Sequence, residues 1–265
     1  MLISVLFFVI LSIQINSQTD DPKTEDQEEL KIILEKCAEY CEKLNNSVLD
    51  FVCEEAITEE IRQRDRGLPG VEKNKYIYDY QLVRQGGTID EQRILLKENN
   101  RKKNIIDAQL KTKRFHHKYI VLGPIGLLGR KQQEIIEYKI LKEEFYKKEK
   151  VVILEASPKY PGEFNALYGK IWIRKRDFNI LKIEWEQESL ENFEDIEKIA
   201  NRLHAKPKIT FVSEYAFEKN EIRFPSKYSV EEMYILPNGI KHHMSRITVI
   251  YDNYKFFTVN TKVKY

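Results

Sequence analysis

From Phe51 onward the apolar residues recur at every second position rather than every third or fourth, and this change of period commits most of the chain to strands. Phe51, Cys53, Glu55, Ile57, Glu59 and Ile61 alternate with Val52, Glu54, Ala56, Thr58 and Glu60. Upstream the period is helical: Leu30, Ile33/Leu34, Cys37, Tyr40/Cys41 and Leu44 mark one face of an amphipathic helix from Glu29 that ends near Asn45-Asn46. Val48 and Phe51 extend that stripe, so a longer helix competes with the strand from Phe51; the strand is preferred.

Strand-like runs follow almost without interruption. Lys75 to Arg84, Gly86-Gly87 and Thr88 to Lys97 read as a hairpin. Further strands are expected at Thr112 to Val121, Ile135 to Leu141, Lys150 to Ser157, Asn165 to Lys175, Asn179 to Gln187, Lys208 to Glu218, Glu221 to Leu236 and Ile240 to Lys264. Short turn signals separate them, among them Arg176-Asp177, Lys219-Asn220 and Pro237-Asn238-Gly239, and consecutive strands on short turns make an antiparallel meander. Ser189 to Leu203 carries Phe193, Ile196, Ile199, Ala200 and Leu203 at helical spacing and is expected to be a second helix. No repeat or Pro/Ser-rich linker divides the chain, so one domain over 29–265 is the simpler reading.

The first residues bear on compartment. Met1 to Ile13 is apolar apart from Ser4 and Ser12, a run too short to span a hydrocarbon layer of roughly 30 Å and of the length of a signal-peptide core. Cleavage is expected near Ser17, giving a signal peptide over 1–17 and an acidic linker over 18–28. A periplasmic or secreted protein follows. The charges nearly cancel, 44 basic against 42 acidic, which gives no reason to expect a nucleic-acid partner; Lys97 to Lys103 is read as a solvated turn.

Export places Cys37, Cys41 and Cys53 in an oxidising setting, where a disulfide is expected. A continuous helix would hold Cys41 and Cys53 roughly 18 Å apart, but a chain that folds back after Asn45 brings them together. Cys41–Cys53 is the preferred pair and Cys37–Cys53 the second. Three cysteines at this spacing match no zinc pattern, and no histidine is placed by any motif to activate one. His116-His117 and His242-His243 are adjacent pairs in expected strands, each with one exposed and one partly buried ring. The doublets Glu54-Glu55, Glu59-Glu60 and Glu231-Glu232 could supply acid–base pairs, yet solvated strand faces explain them. No phosphate loop, nucleophile elbow or metalloprotease helix is present, so no catalytic residue, metal or cofactor is expected.

Aromatic residues give the best hint of a binding role. Tyr76, Tyr78 and Tyr80 share one strand face, and Trp172 and Trp185 lie in neighbouring strands. A curved sheet with an aromatic concave face can hold a hydrophobic ligand, although the same residues can simply form a core. Gly123 to Gly129 (GPIGLLG) reads either as a glycine-hinged apolar lid carrying Leu127-Leu128 or as a tight buried connection.

Tyr168 to Glu184 (YGKIWIRKRDFNILKIE) resembles a strand–turn–strand unit of the periplasmic lipoprotein-carrier superfamily, with Gly169, Trp172, Asp177 and the returning strand through Leu181 and Ile183. The group includes a lipoprotein-sorting carrier and an envelope-stress sensor. The resemblance implies a half-barrel, a meander curled around helices, that binds acyl chains or lipoproteins without catalysis. The overall expectation is a mainly β (α+β) protein with an N-terminal helix and a second helix on a curved sheet. Its ligand site would be Tyr78, Tyr80, Trp172, Trp185, Leu127 and Leu128. Its partner would be a hydrophobic ligand or an envelope protein, with peripheral membrane contact allowed. A protein–protein module is the alternative, and a hydrolase assembled from scattered Glu and His is the remaining rival.

Overall fold

The computed structural model describes residues 22–47, 51–65, 68–85, 88–160 and 167–257. The expected signal peptide over 1–17 lies outside them. The N-terminal helix α1 (Pro22–Ser47) starts earlier than its apolar stripe indicates and takes in residues 22–28 of the expected linker. No described helix is long and apolar enough to cross a membrane.

After α1 the period-two alternation becomes sheet, and the strand reading from Phe51 holds. Four strands form the first meander: β1 (Phe51–Asp65), β2 (Leu68–Gln85), β3 (Thr88–Glu98) and the short β4 (Arg101–Ile105). The second runs β5 (Ile136–Tyr146), β6 (Glu149–Pro158), β7 (Gly169–Arg174), β8 (Ile180–Trp185) and β9 (Lys206–Glu214). It then passes through a two-stranded hairpin, β10 (Phe217–Lys219) and β11 (Ile222–Phe224), to β12 (Lys227–Ile235) and β13 (Lys241–Phe256). Pro225 has no N–H for a ladder and lies between β11 and β12, which is why the expected strand over 221–236 is two strands. Tight turns join several neighbours: Asn99-Asn100 and Lys147-Lys148 both have positive φ, as hairpin turns matched to strand twist require.

All strands except β10 and β11 belong to one open, curved antiparallel sheet in the order β4-β3-β2-β1-β13-β12-β9-β8-β7-β6-β5. The C-terminal strand β13 pairs with the N-terminal β1 in the middle of the sheet, from Phe51 opposite Phe256 to Ile61 opposite Ser245. The two edges are therefore β4 and β5, which are consecutive in the chain. Residues 106–135 must travel from one edge to the other, and they do so across the concave face.

That geometry corrects one expectation. Thr112 to Val121 is not a strand: it is irregular chain outside any ladder, bent at Lys113-Arg114 and left-handed at Tyr119, ending in a 3-10 turn at Ile120–Leu122 and followed by the short helices α2 (Gly123–Leu128) and α3 (Gln132–Ile135). Its burial alternates only around His116, which is exposed between the buried Phe115 and His117; Thr112 buries three residues before Phe115. The expected second helix appears as α4 (Phe193–Arg202), which buries Ile196 and Ala200. Lys97 to Lys103 contains the Asn99-Asn100 turn, but its basic end opens the edge strand β4, exposed throughout, where lysines discourage edge-to-edge pairing.

Helix α1 and the 106–135 connection fill the concave side. Ile33, Cys37, Tyr40, Cys41 and Leu44 of α1 join Leu127, Leu128 and the inward residues of the strands in one apolar core. Arg130 clamps the connection to α1 through Glu35, at 2.8 Å from both guanidinium ends, and Glu42 at 2.7 Å. A second, smaller apolar cluster of Val151, Ile153, Trp172 and Leu181 is separate from that core.

Candidate functional site

The floor of the concave face is set by strand parity. On β1 the inward positions are Phe51, Cys53, Glu55, Ile57 and Glu59, all buried. On β2 they include Tyr76, Tyr78, Tyr80 and Leu82, and on β12 Tyr228, Val230, Glu232 and Tyr234. Three glutamates thus share a face with apolar residues. Each is the inward member of a doublet whose other member, Glu54, Glu60 or Glu231, points the opposite way. The sequence reading of all three doublets as solvated faces is half right, and the parity of their neighbours carried the missing signal.

A buried carboxylate is costly unless charge and hydrogen bonds meet it, and the crossing connection supplies most of them. Glu59 Oε1 accepts the backbone N–H groups of Lys113 and Arg114 at 2.7 and 3.1 Å. Glu232 receives the Arg114 guanidinium, Nε to Oε2 at 2.7 Å with a second contact from the other end of the fork, and hydrogen bonds from Tyr234 Oη at 2.7 Å and Ser245 Oγ at 2.8 Å. Glu55 is gripped by Arg93 of β3 at 2.7 and 3.1 Å and bonded by His117 Nε2 at 2.8 Å and Tyr251 Oη at 3.1 Å. Burial alone would raise the Glu55 carboxyl, but the His117 and Arg93 contacts override it and bring it down to about 2. Arg93 also bonds Glu91 at 3.0 Å and stacks 4.8 Å over the Tyr80 ring.

The tyrosines read the connection's main chain. Tyr78 Oη donates to Gln109 O at 3.4 Å and accepts from Lys111 N at 3.3 Å, and Tyr76 Oη donates to Lys111 O at 3.4 Å. Glu91 Oε1 accepts from Tyr119 N at 2.7 Å. Residues 108–119 therefore lie as a strap, bent at Lys113-Arg114, whose backbone is held by side chains of the sheet and by one main-chain bond, Ala108 N to Arg93 O at 2.9 Å. Two atoms where it meets the floor, Glu59 Oε2 of the sheet and Nδ1 of the strap's own His117, are buried without a partner among the described residues.

Beyond the strap the floor is apolar. Tyr215 Oη donates to Ile120 O at 3.0 Å and Trp185 Nε1 to Ser213 Oγ at 2.9 Å. Gly123 opens α2 directly on this pair, where an added Cβ would lie 2.6 Å from Tyr215 Oη and 3.2 Å from the Trp185 ring. Leu127 and Leu128 are fully buried beside α1, so in this structure Gly123 to Gly129 is a packed plug.

Of the six expected ligand residues, Tyr78, Tyr80, Trp185, Leu127 and Leu128 belong to the concave core. Trp172 does not. Gly169 faces Trp185 and Ile171 faces Ile183 on the inner side, so Trp172, paired with Lys182, projects from the other face. There Lys182 Nζ caps its ring at 3.9 Å and its indole donates to Glu144 at 3.1 Å. Two surface clefts, about 180 and 320 Å³, are lined mainly by charged side chains, the larger by Lys36, Lys43 and Asp177 among others.

The expected Cys41–Cys53 bridge is absent: all three cysteines are buried free thiols. Cys41 Sγ donates to Pro124 O at 3.4 Å, which turns it toward α2. Cys53 faces Tyr254 of β13 and the Glu55 side of the floor. Burial pushes the Cys41 thiol up to about 12 and the other two upward as well. Such thiols are poor nucleophiles. No group of three or more His, Cys, Asp or Glu that could hold a metal occurs among the described residues.

No known family model matches the sequence, and no curated protein does. Among solved structures, the chain is similar to a LolA superfamily protein from Nitrosomonas europaea, at 14% identity over 87% of this chain and 94% of that one, with a TM-score of 0.36. It is similar to an outer membrane lipoprotein-sorting protein domain from Vibrio parahaemolyticus, at 12% identity over 86% and 94% of the two chains, TM-score 0.37. A third likeness is to the MucA/MucB complex structure of Pseudomonas aeruginosa, at 9% identity over 84% and 99%, TM-score 0.24. The lipoprotein-sorting group that Tyr168 to Glu184 resembles is thus among the structural likenesses of the chain.

Proposed function

We propose that the protein is a non-enzymatic exported binding protein for a lipid-like ligand, an acyl chain or a lipoprotein, held on the concave face of the sheet. The observation that carries this reading is that the apolar floor is covered by the chain's own plug, Ile120 to Leu128, and by α1 rather than by a second sheet. A connection can swing aside where a hydrogen-bonded layer cannot. Tyr78, Tyr80 and Trp185 would line the ligand's place, and Leu127 and Leu128, which fill it now, would be displaced and close over it. Trp172 stays outside this set. The apolar run Met1 to Ile13 supports an exported location, periplasmic or secreted.

The test is native mass spectrometry of the mature protein purified from its exported fraction, followed by organic extraction. A bound acyl species supports the reading and names the ligand class. A clean apo mass with no extractable lipid sinks it.

The second reading, an envelope protein–protein module, is favoured by the open edge strand β5. It runs over Ile136–Tyr146 with one side unpaired among the described residues and carries Phe145, 75% exposed. Strand addition at such an edge is a common mode of protein recognition. Loss of partner capture from an envelope extract on Phe145→Asp, with ligand content unchanged, would support it.

A further inference from the structure

We propose that the polar half of the concave floor is a binding site for an arginine-bearing peptide segment, and that residues 108–119 are its resident occupant. The inference is argued from observations separate from those of the acyl reading; the two share Tyr78, whose hydroxyl holds the strap, and the acyl chain would extend from there toward Trp185 and Tyr215.

Three observations carry it. First, apart from one main-chain bond from Ala108 N to Arg93 O at 2.9 Å, the strap pairs with no strand among the described residues, yet its main chain is read by four floor side chains: Tyr78 at Gln109 and Lys111, Tyr76 at Lys111, Glu59 at Lys113 and Arg114, and Glu91 at Tyr119. Capture of a segment's main chain together with pockets for some of its side chains is a recurring mode of peptide recognition. Here Thr112, Phe115 and His117 enter the floor while Lys113 and His116 face out.

Second, the arginine is specified. Glu232 is fully buried and its two oxygens meet the Arg114 fork, with Tyr234 and Ser245 donating to the same carboxylate. A lysine could not make that two-pronged contact. Arg114 also keeps 23% of its side chain exposed, so the group that fills the site is reachable from solvent.

Third, the fit is incomplete. Glu59 Oε2 and His117 Nδ1 are buried with no partner among the described residues, although the side chains of both are fully enclosed. A segment evolved only as a permanent part of the core has reason to satisfy such atoms. An occupant that supplies one more donor beside the two amides on Glu59 would satisfy the carboxylate better than the strap does. The partner chemistry is therefore a polypeptide segment with an arginine, exchanging with the strap.

The test uses a fluorescein-labelled synthetic peptide with the sequence of residues 108–119 and the full-length protein, read by anisotropy. Arg114→Ala weakens the resident occupant and leaves Glu232 open for the arginine of the added peptide. It should bind the peptide at least about tenfold more tightly than the wild type. Adding Glu232→Gln should remove that gain, as should a peptide whose arginine is alanine. No saturable binding to Arg114→Ala, or equal binding with and without Glu232→Gln, overturns the proposal. Should Arg114→Ala fail to fold, hydrogen exchange on the wild type decides. The amides of Lys113, Arg114 and Tyr119 are expected to be at least ~100-fold less protected than those of Glu55 to Ile57 in the sheet centre. Equal protection overturns the proposal, because the strap would then open only with the whole molecule.

Discussion

Arg114 on the crossing connection reaches Glu232 of β12, 118 residues later in the chain, with Nε 2.7 Å from Oε2. Its carboxylate partner has no solvent exposure at all. Removing one member of such a pair strands the other, typically at a cost of about 3–5 kcal/mol, discounted here because Arg114 is partly solvated. Arg114→Met should lower unfolding stability by about 2–3 kcal/mol in urea denaturation. Glu232→Gln should cost about as much. A loss under about 0.5 kcal/mol for both would mean the strap is not anchored there.

Glu55 sets an acid limit on stability. Its folded value of about 2 lies below the ordinary 4.5, so the native state favours the ionised form. The stabilisation is present in full above pH 4.5 and is lost as pH falls from there toward 2. It amounts to on the order of 3 kcal/mol. Urea midpoints measured between pH 6 and pH 2.5 should fall steeply below pH 4.5. In Glu55→Gln the protein should be less stable at neutral pH and its curve flatter over the same interval.

Two glycines of one short helix should respond oppositely to alanine. At Gly123 a Cβ would press on Tyr215 Oη at 2.6 Å, whereas at Gly126 it would meet nothing within 4 Å. Gly123→Ala is expected to destabilise by about 1–3 kcal/mol through overpacking. Gly126→Ala should be neutral or stabilising by up to about 1 kcal/mol from helix propensity. Thermal melts of the two variants side by side check this, and a matched drop in both would refute the packing at Gly123.

The free thiols make a chemical prediction. Cys37, Cys41 and Cys53 are each at most 2% exposed, so a thiol reagent should label none of them in native protein within minutes and all three in denaturant. Intact mass after alkylation under denaturing, non-reducing conditions should show three adducts. One adduct would reveal a disulfide.

Trp172 tests the split between the two faces. Its ring packs with Val151, Ile153 and Leu181 in the cluster separate from the core, so Trp172→Ala should cost about 3 kcal/mol of stability and leave any bound lipid unchanged. A parallel loss of ligand would return Trp172 to the binding set.

Much of the sheet was legible because alternation is a direct image of the pleat: β1, β2 and β12 all announce themselves by period. What alternation cannot give is register. Ile171, Trp172 and Ile173 are consecutive apolar residues, so nothing local says which points inward. Only the pairing of Ile171 with Ile183 and of Gly169 with Trp185 turns Trp172 away from Trp185. The strap misled for a related reason. Phe115 and His117 bury on either side of the exposed His116 against a floor, and burial pattern alone does not distinguish hydrogen bonds to a neighbouring strand from hydrogen bonds to tyrosines and glutamates. The buried carboxylates were hidden by chemistry. Glu55, Glu59 and Glu232 obey the parity of their apolar neighbours, but a glutamate goes inward only where a distant partner such as Arg93 or Arg114 awaits it.

The pairing of the first strand with the last gives the sheet a seam that closes late. β1 can form its hairpin with β2 as soon as both exist, yet its other side finds β13 only after the final strand has been synthesised. Until then the N-terminal meander carries a long unpaired edge at what becomes the sheet's centre, a template for pairing with neighbouring chains. Loop closure across almost the whole sequence makes that last zippering slow. Nascent or truncated chains lacking β13 are thus the species in which this protein is most exposed to aggregation.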